Sequence, residues 1–432
     1  MFKRFAMGVA AVALLSACGG GETNNSGDSA PSIEAKTSTP DATGAPLTVD
    51  AKRDALGRAG DFGVALQMQL IEAEPGTTIL LPEGVFNLVD GLSLDVDGVT
   101  LQGAGADKTI LDFSGQTGAG EGLLVTSDDV TMSGFTIRET KGDGIKSKGA
   151  DRITYRDLTV EWLGEPDEAN GAYGVYPVES TDVLVEGVTV RGASDAGIYV
   201  GQSDNIIVRG SLVEYNVAGI EIENSTNADV YDNTVTKNTG GLLVFDLPDL
   251  PKVGGHSTRL FNNNIFDNNT RNFAPPGNIV AGVPSGSGIL IMANDKVEIF
   301  GNTLADNRTT HILLSAYQDA FSDDRYNPLP RNILVTGNSY DNGGYEPQGD
   351  LALLAAFMGG KLPDIVWDGV DRWAEMEAAD VNMVVDEPSE VGFVSLGLGV
   401  SPIDPTKLSP NEDRPGGTAL ERLPKIVLSH DK

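Results

Sequence analysis

The chain repeats itself at a step of about 22 residues between Gly122 and His311. Each repeat opens with a glycine and a β-branched or aliphatic residue, and successive openings are 22, 30, 23, 22, 22, 47 and 23 residues apart. The openings are Gly122-Leu123, Gly144-Ile145, Gly174-Val175, Gly197-Ile198, Gly219-Ile220, Gly241-Leu242, Gly288-Ile289 and finally His311-Ile312. A unit this short cannot bury an apolar core alone, so the period predicts a stacked fold in which each repeat packs on its neighbours.

Each repeat has the pattern of three short strands. In residues 218–239, apolar residues alternate with polar ones at Ile220 and Ile222, and two further short runs follow. Alternation with a period of two is typical of a strand with one buried side, and Asn residues suit the corners between strands. The consensus of leucine-rich repeats is missing. The repeats therefore predict an all-β fold, a right-handed parallel β-helix, with structural Asn ladders at Asn233, Asn238, Asn264, Asn302 and Asn338.

The segments outside the repeats predict caps. An apolar helical pattern at 62–73 precedes the first coil and would cover its open end. The period is lost after Gly349, where a short helix at 351–357 and two strand-like runs form a less regular C-terminal segment. We expect a lipoprotein signal peptide at 1–17, a flexible tether at 18–46, the β-helix at 47–349 and a C-terminal cap packed on the helix at 350–432.

The first residues have a secretory pattern. Lys3 and Arg4 precede an apolar run, and small residues lead to Cys18, the only cysteine. The segment Leu15-Ser16-Ala17-Cys18 resembles a bacterial lipobox, which implies cleavage before Cys18 and acylation of that residue. This predicts an exported, membrane-anchored lipoprotein of the bacterial outer membrane or periplasm. The alternative is a secreted protein in which Cys18 has no such role.

The chain is acidic, with a formal net charge of -32. This charge argues against nucleic acid or an anionic membrane surface as a partner of the whole body. It makes Ca²⁺ a conceivable cofactor, although no calcium-loop motif is present. The alternative is that acidic side chains only keep an exported protein soluble.

Several segments resemble a known group of proteins. The repeated Gly-Ile openings and Asn-rich corners are similar to those of the pectin-lyase-like superfamily of right-handed β-helices. The runs GVYPVES, GASDAGIYVGQSDNI, AGIEIENSTNADVYDN, GGLLVFDLP and VEIFGN more closely resemble exported β-helix lipoproteins of unestablished role. The superfamily includes lyases, hydrolases, epimerases and esterases as well as binding proteins, so the resemblance implies a fold and leaves the activity open.

The motifs of its characterised enzymes are missing. The GHG and RIK segments of polygalacturonases, the DPHD segment of mannuronan epimerases, and the WxDH and RxPxxR segments of pectate lyases do not occur. A candidate site must therefore come from the geometry of the repeats.

Aligning the repeats predicts which side chains share the outer face of the first strand. If the residue after each opening glycine points inward, the next residue and the one two positions later point outward. The first outward series is Lys146, Tyr176, Tyr199, Glu221, Leu243, Leu290 and Leu313. The second is Lys148, Val178, Gly201, Glu223, Phe245, Met292 and Ser315. Asp195 lies at the corner before the Tyr199 strand, and the upper part of the face is apolar.

The irregular spacings locate long loops beside this face. Extra residues fall at 246–257 and 317–331 after the first strand, and at 163–171 and 270–286 before it. Long loops on both edges of one strand face predict a walled groove, and ligand-binding residues favour loops held by a rigid scaffold. We therefore place a polysaccharide-binding site between Lys146 and Asp246.

Acidic residues are the first candidates for catalysis. Glu221 and Glu223 lie two residues apart, so their Cβ atoms are expected roughly 6.6 Å apart on one side of a strand. This suits the carboxyl pair of an inverting glycosidase or a Ca²⁺ site, and the alternative is two solvated glutamates. Asp195 is a further candidate acid, base or cation ligand.

Aromatic and basic residues complete the candidate site. Tyr199 and Lys146 are candidate proton carriers, whereas Tyr176, Lys148, Asp246 and Phe245 are candidate substrate-binding residues. The tyrosines could stack on sugars or simply stabilise neighbouring strands. The lysines, with nearby basic residues Arg138, Lys141, Arg152 and Arg156, could bind uronate or sulfate groups or only balance nearby acids.

Two functions remain open from the sequence. The first is an enzyme, a lyase, hydrolase or epimerase that acts on an acidic polysaccharide. The second is a non-catalytic binding or scaffold lipoprotein that assists another protein of the cell envelope. The apolar residues Leu243, Phe245, Leu290 and Met292 favour the second if they are exposed, because apolar patches more often contact proteins than charged sugars.

Overall fold

A computed structural model describes residues 61–118, 120–371, 381–398 and 414–431. The predicted signal peptide at 1–17, the tether at 18–46 and Cys18 lie outside the described residues. Within the described ranges, no helix is long and apolar enough to cross a membrane.

The described strands form three parallel sheets, and each turn of the chain adds one strand to each sheet. The predicted right-handed parallel β-helix is therefore confirmed. Strands are numbered in chain order. Sheet A contains β1 (Thr78–Leu80), β4 (Thr100–Gln102), β7 (Thr131–Ser133), β10 (Ile153–Arg156), β13 (Thr181–Glu186), β16 (Asp204–Arg209), β19 (Thr226–Tyr231), β22 (His256–Phe261), β25 (Asp295–Phe300), β28 (Arg331–Thr336) and β31 (Met383–Asp386). Sheet B contains β2 (Gly84–Asn87), β5 (Thr109–Asp112), β8 (Thr136–Arg138), β11 (Thr159–Glu161), β14 (Thr189–Arg191), β17 (Leu212–Glu214), β20 (Thr234–Thr236), β23 (Asn264–Phe266), β26 (Thr303–Ala305) and β29 (Ser339–Asp341). Sheet C contains β3 (Leu92–Leu94), β6 (Leu123–Val125), β9 (Ile145–Lys148), β12 (Tyr173–Val178), β15 (Ala196–Gly201), β18 (Ala218–Glu223), β21 (Gly240–Phe245), β24 (Ser287–Met292), β27 (Thr310–Ser315), β30 (Ile365–Trp367) and β32 (Phe393–Ser395).

The inward residues of the three sheets fill one continuous apolar core. On sheet C, Ile198 pairs with Ile220 and Ile220 with Leu242, so aliphatic side chains stack on one another along the axis. All three are 1% exposed or less. Burial of each such side chain contributes about 1.5–3 kcal/mol. The residue after each opening glycine thus points inward, as the alternation predicts.

Asparagines stack in two ladders at the corners. In the ladder of Asn233, Asn263, Asn302 and Asn338, each side-chain amide donates to the carbonyl oxygen of the next at 2.9–3.0 Å. A second ladder joins Asn216, Asn238, Asn268 and Asn307. The predicted structural role of Asn233, Asn238, Asn302 and Asn338 is confirmed. The prediction is wrong for Asn264, because its neighbour Asn263 takes the corner and Asn264 begins β23 with an exposed side chain.

A helix covers the first coil, as predicted. Helix α1 (Asp61–Ile71) places Phe62, Leu66 and Leu70 in the main core. The ring of Phe62 stacks on that of Phe86 in β2 with centroids 3.8 Å apart. The open apolar end of the stack is thereby closed at this terminus.

Residues beyond 349 extend the solenoid and also cover its sides. Strands β30 and β32 continue sheet C, and β31 continues sheet A. Helix α2 (Asp350–Phe357), which the sequence predicted at 351–357, lies with its buried residues Leu351 and Ala355 over the outer face of sheet C. Residues 414–431 run back along the outer face of sheet A, where Ile426 and Leu428 pack on Leu184 and Ile207.

Candidate functional site

The outer face of sheet C carries the two predicted series of side chains. Lys146 pairs with Tyr176, Tyr199 pairs with Glu221, and Glu221 pairs with Leu243. In the second series, Gly201 pairs with Glu223 and Glu223 with Phe245. The predicted alignment is confirmed along the stack, because uninterrupted parallel pairing keeps equivalent residues of successive coils in register.

A third outward position precedes each opening glycine. Strict alternation would turn this residue inward, yet Tyr173, Ala196 and Ala218 lie in the outer apolar cluster of sheet C. The equivalent residue Asp143 lies 3.4 Å from the ammonium of Lys146. Tyr173 and Asp143 were not among the predicted site residues, although both directly precede an opening glycine of the repeats.

The long segments directly precede or follow strands of sheet C, at the positions that the spacings predicted. Residues 246–255 follow β21 and residues 316–330 follow β27, whereas residues 267–286 precede β24 and contain a short 3₁₀ helix at Ile279–Gly282. Side chains of these segments and of α2 form one apolar cluster with the outer face of sheet C. Members from the segments are Phe273, Val280, Val283, Tyr326, Leu351 and Ala355. The loops thus fold onto the upper face instead of standing beside it.

The upper apolar stretch is consequently buried. Leu243, Phe245 and Met292 are 1% exposed or less, and Leu290 is 5% exposed. These buried residues therefore do not indicate a surface that docks another protein. The side chain of Phe245 is fully enclosed, so its expected contact with substrate stays a prediction that requires the covering loops to move.

The carboxylate of Asp246 is bonded to the loop that follows β21. Its carboxylate accepts hydrogen bonds from the backbone N–H groups of Gly254 and Gly255 at 2.7–3.0 Å. Tyr326 donates to its backbone carbonyl at 2.6 Å. Burial raises the pKa of Asp246 to about 6, despite the two backbone donors. Asp246 is 1% exposed and bonded to the following loop, so its expected contact with substrate stays a prediction.

Three carboxyl groups are buried next to one another beneath the loops. Asp195, Glu221 and Glu223 are 5%, 1% and 6% exposed. The alternative of two solvated glutamates is therefore wrong. We call Asp195, Glu221 and Glu223 the carboxyl cluster. Carboxyl groups are seldom buried without a compensating partner, so the partners of each decide what the cluster can do.

Glu221 has no compensating partner. Neither of its carboxyl oxygens has a hydrogen-bond partner within the described residues. Burial raises the pKa of Glu221 well above its ordinary value of 4.5, and the nearby Glu223 and Asp195 raise it further. Glu221 is thus held as a neutral carboxylic acid, the form that can donate a proton.

Glu223 is tied to Tyr199. The phenol of Tyr199 donates a 2.6 Å hydrogen bond to Oε1 of Glu223. Burial raises the pKa of Glu223 to about 7, while this hydrogen bond lowers it. Burial and the charge of Glu223 raise the pKa of Tyr199 well above 10, so Tyr199 is suited to donate a hydrogen bond rather than to act as a tyrosinate base.

Gly201 leaves the space that this hydrogen bond requires. A Cβ atom on Gly201 would lie 2.4 Å from Cε1 and 2.6 Å from the phenol oxygen of Tyr199. Carbon atoms do not approach this closely, so a side chain at 201 would push the ring of Tyr199 away from Glu223. The glycine in the second outward series is therefore a positioning element of the cluster.

Asp195 connects the cluster to the loop above it. Asn278, which precedes the 3₁₀ helix, donates a 2.9 Å hydrogen bond to Oδ2 of Asp195. Burial raises the pKa of Asp195 to about 7, against the lowering effect of hydrogen bonds from Tyr173 and Asn278. The sequence analysis missed Asn278, because no repeat pattern relates a loop residue to a site 83 positions away.

Three tyrosines and a lysine line the more accessible side of the cluster. The rings of Tyr173, Tyr176 and Tyr199 contact one another, with centroids 4.5–4.9 Å apart. The ammonium of Lys146 lies 4.6 Å from the centroid of the Tyr176 ring. Tyr173, Tyr176 and Lys146 are all partly exposed. They form an aromatic and cationic surface that leads from solvent toward the buried acids.

The basic residues near Lys146 are already neutralised. Lys146 lies 3.5 Å from Glu121 and 3.4 Å from Asp143, and Lys148 lies 3.9 Å from Glu179. The neighbouring arginines point to other sheets, where Arg138 pairs with Asp112 and Arg152 with Asp128 and Asp129. Except for the exposed Lys141, the residues of the expected basic patch form separate ion pairs, since residues close in sequence occupy different faces of each coil.

The arrangement of the acidic and histidine side chains bears on metal binding. Over the ranges that the structure describes, no group of three or more His, Cys, Asp or Glu side chains is arranged to hold one. His311 is buried and bonded to the amide of Asn307 and the carbonyl of Asp341. Ca²⁺, which the sequence named only as a conceivable cofactor, stays untested, and a chelation control can test it.

Comparisons with known proteins agree with the architecture. A family model described as right handed beta helix region matches residues 97–250. The A-module of mannuronan C-5 epimerase AlgE4 from Azotobacter vinelandii is 16% identical, and the match covers 77% of this chain and 92% of that one with a TM-score of 0.51. No curated protein sequence matches.

Two further solved structures are similar at lower scores. The A-module of mannuronan C-5 epimerase AlgE6 from Azotobacter vinelandii is 16% identical, with 77% and 90% of the two chains covered and a TM-score of 0.46. The catalytic unit of a GH87 alpha-1,3-glucanase from Streptomyces thermodiastaticus is 16% identical, with 77% and 52% covered and a TM-score of 0.47. The family model and the AlgE4 A-module, at 16% identity, show the right-handed β-helix fold alone.

Proposed function

We propose that this protein is an exported polysaccharide-active enzyme that hydrolyses a glycosidic bond at the carboxyl cluster. The observation that carries the proposal is the burial of Glu221 as an unpartnered acid next to Glu223, whose carboxylate is oriented by Tyr199. Two carboxyl groups with different environments are the minimal equipment for acid and base catalysis of glycoside hydrolysis.

The two glutamates take different roles. Glu221, held neutral by burial, donates its proton to the glycosidic oxygen as the bond from that oxygen to the anomeric carbon breaks. Glu223, with a pKa of about 7, accepts a proton from water as the water oxygen bonds to the same carbon. Asp195 lies close enough to raise the pKa of both, so the three groups titrate as a unit.

The surface around the cluster suits sugars. Partly exposed tyrosine rings offer flat apolar faces and hydroxyl groups, a combination that can contact both the faces and the hydroxyls of a sugar ring. The A-module of mannuronan C-5 epimerase, which shares this fold, is named for a polysaccharide substrate, and this agrees with the ligand class. A polysaccharide is therefore the partner that we propose for this face.

Hydrolysis fits the site better than elimination. Elimination from a uronate needs a base for a carbon-bound proton and a free cation to neutralise the sugar carboxylate. The tyrosines have raised pKa values, and Lys146 already lies beside Glu121 and Asp143. Protonated carboxylic acids, in contrast, are available in the cluster.

Elimination or epimerisation of an acidic polysaccharide is the second candidate. The observation that favours it is the position of Lys146 over the Tyr176 ring, at the accessible side of the cluster. A uronate that displaced Asp143 or Glu121 would place its carboxylate against Lys146. Unsaturated products or inverted uronates, without new reducing ends from neutral polymers, would identify this reaction.

Substrate access requires the segment 267–286 to move. This segment covers the cluster and contacts it through the hydrogen bond from Asn278 to Asp195. Mobile loops over a buried site exclude water and complete the catalytic arrangement once substrate is bound. The same loop would therefore act as a gate.

Export and anchoring through Cys18 belong to the same proposal. A lipid-anchored enzyme at the outer membrane or in the periplasm would meet polysaccharides of the cell surface, with residues 18–46 as a spacer. Labelling cells with a palmitate analogue should mark the wild-type protein and leave Cys18→Ser unlabelled. Equal labelling of both would contradict acylation at this residue.

The proposal is tested with a panel of neutral and uronate polymers. Purified wild-type protein is incubated with β-1,3-glucan, β-1,4-xylan, polymannuronate and polygalacturonate, with Ca²⁺ or with a chelator, and new reducing ends and unsaturated products are measured. We expect reducing ends from one polymer, and their loss in Glu221→Gln and Glu223→Gln. Glu298→Gln is the matched control, because Glu298 is also buried but lies on sheet A.

Binding without turnover would support the non-catalytic alternative. A binding or scaffold lipoprotein would retain a glycan on the sheet C face while all polymers stay intact. In that case Glu221→Gln would alter affinity alone, and a partner protein of the envelope would become the next question.

A further inference from the structure

Accessibility changes abruptly along the outer face of sheet C. Toward the N-terminal coils, Ser93 and Lys148 are exposed, and Leu124, Lys146 and Tyr176 are partly exposed. From the β21 coil onward, every outward residue of the first series is at most 5% exposed, and these residues are Leu243, Leu290, Leu313, Val366 and Val394. The face is thus open on one side of the carboxyl cluster and closed on the other.

The closed side is a packed wall. Tyr326, from the segment 316–330, and Leu351 of α2 lie in one apolar cluster with Leu243. A substrate would have to displace several such contacts to continue past Leu243.

Hydrogen bonds join the loops of this wall to one another. Tyr326 donates to the carbonyl of Asp246 at 2.6 Å, and Arg325 donates to the carbonyls of Leu250 and Pro251 at 3.0 and 3.3 Å. The segments after β21 and after β27 therefore support each other. The segment 267–286 also packs on this apolar cluster through Phe273 and Val283, and it contacts the carboxyl cluster by the separate bond from Asn278 to Asp195. End recognition requires this segment to move while the wall stays closed.

The open side is long enough for several sugar residues. Strands β3, β6, β9 and β12 are successive neighbours in sheet C, and the three steps between them span roughly 14 Å at 4.8 Å each. Every residue of the next strand, β15, is buried. A chain lying along this surface passes Lys146 and Tyr176 and reaches Glu221 directly before the wall.

We infer that the site recognises the end of a polysaccharide chain: the chain lies over the open coils and its terminus stops at the wall above Leu243. This inference rests on the proposed function and adds the mode of recognition. An enzyme built this way releases short products from one chain end instead of cutting at internal bonds. The wall formed by residues 246–255, residues 316–330 and helix α2 would determine that specificity.

End recognition is tested by binding, with wild-type protein only. Hexasaccharides from β-1,3-glucan, β-1,4-xylan, polymannuronate and polygalacturonate are each prepared untagged, with a bulky fluorophore at the reducing end, and with the same fluorophore at the other end. Titration calorimetry measures their affinities. We expect a tag at one end to weaken binding at least 10-fold, and a tag at the opposite end to change it less than 3-fold.

The outcomes separate this inference from the proposed function. Equal affinity of the untagged and both tagged forms overturns end recognition, whether or not the protein is catalytic. No binding of any hexasaccharide overturns the proposed function together with the inference. If the protein is active, early products confined to the shortest sugars support end recognition, whereas an early mixture of all lengths contradicts it.

Discussion

The phenol of Tyr199 and the carboxylate of Glu223 are joined by a 2.6 Å hydrogen bond that runs diagonally between neighbouring strands of sheet C. The bond lowers the pKa of Glu223, whereas burial raises it to about 7. Tyr199 therefore stabilises the ionised form of Glu223, the form that can accept a proton from water.

Removing this hydroxyl should shift the pH dependence of turnover. In Tyr199→Phe the pKa of Glu223 rises, so the acidic limb of the profile of kcat/KM against pH should move to higher pH. Tyr231→Phe is the control, because Tyr231 packs on the outer face of sheet A, and it should leave the limb in place. An unchanged limb in Tyr199→Phe would show that Glu223 is not the base.

The absence of a side chain at Gly201 should be as important for turnover as the hydroxyl of Tyr199. Gly201→Ala places a Cβ atom 2.4 Å from the ring of Tyr199 and displaces it. Misplacement on this scale lowers activity on the order of 10- to 100-fold. Gly164→Ala is the matched control, because a Cβ atom there meets nothing within 4 Å. Equal turnover by both variants would exclude a positioning role for Gly201.

The protonation state of Glu221 should determine how the free energy of unfolding depends on pH. Burial raises its folded pKa well above 4.5, so from about pH 4.5 upward the folded protein retains a proton that the unfolded chain loses. The free energy of unfolding then falls as pH rises. Glu221→Gln stays neutral, so its Tm should match wild type at pH 4 and exceed it at pH 8.

An exposed carboxylate provides the comparison for this stability measurement. Glu168 is exposed, so the melting curve of Glu168→Gln should follow that of wild type at every pH. If the Tm difference between Glu221→Gln and wild type is the same at pH 4 and pH 8, Glu221 is not held neutral by burial.

The loop over the cluster should depend on Asn278. Asn278→Ala removes the hydrogen bond to Asp195, the polar contact between the segment 267–286 and the cluster. Amide hydrogen exchange in this segment should become faster, with little change in the sheets. The exposed Asn264 offers a control, and Asn264→Ala should exchange like wild type. Unchanged exchange in Asn278→Ala would mean that the other contacts of the segment, such as the hydrogen bonds of Thr270 and Ser285, hold the loop.

In residues 414–431, the buried side chains should contribute to stability and the exposed side chains beside them should not. Leu428 is 1% exposed and packs on Leu184 and Ile207, whereas its neighbour Val427 is 72% exposed. Leu428→Ala should lower the free energy of unfolding by about 2–5 kcal/mol. Val427→Ala should change it by about 0.5 kcal/mol or less. Equal effects in denaturant titrations would show that residues 414–431 do not pack on sheet A.

Features set by the repeat could be predicted from the sequence. The position of Ile198, Ile220 and Leu242 in the core follows from the period, because every coil repeats one local pattern. The pairing of Tyr199 with Glu221 follows from the same period. The Asn ladders were predictable for the same reason. The prediction named Asn264 where Asn263 occupies the corner, because the insertion in this coil shifted the alignment by one residue.

Features set by the insertions could not be predicted in the same way. Their positions follow from the spacings, but nothing periodic indicates whether a loop stands beside a strand or folds over it. The burial of Phe245 and the contact of Asn278 with Asp195 therefore appear only in three dimensions. The outward turn of Tyr173 was missed because the chain departs from strict alternation next to the opening glycine.

The central claim is that the buried glutamates carry out proton transfer, and reducing-end release by wild type, Glu221→Gln, Glu223→Gln and Glu298→Gln tests it most directly. The four proteins are compared on the polymer that wild type cleaves, across pH 4 to 9. We predict that wild type and Glu298→Gln release reducing ends at similar rates, and that both cluster variants lose at least 100-fold. Turnover by Glu221→Gln and Glu223→Gln at the wild-type rate would contradict the claim.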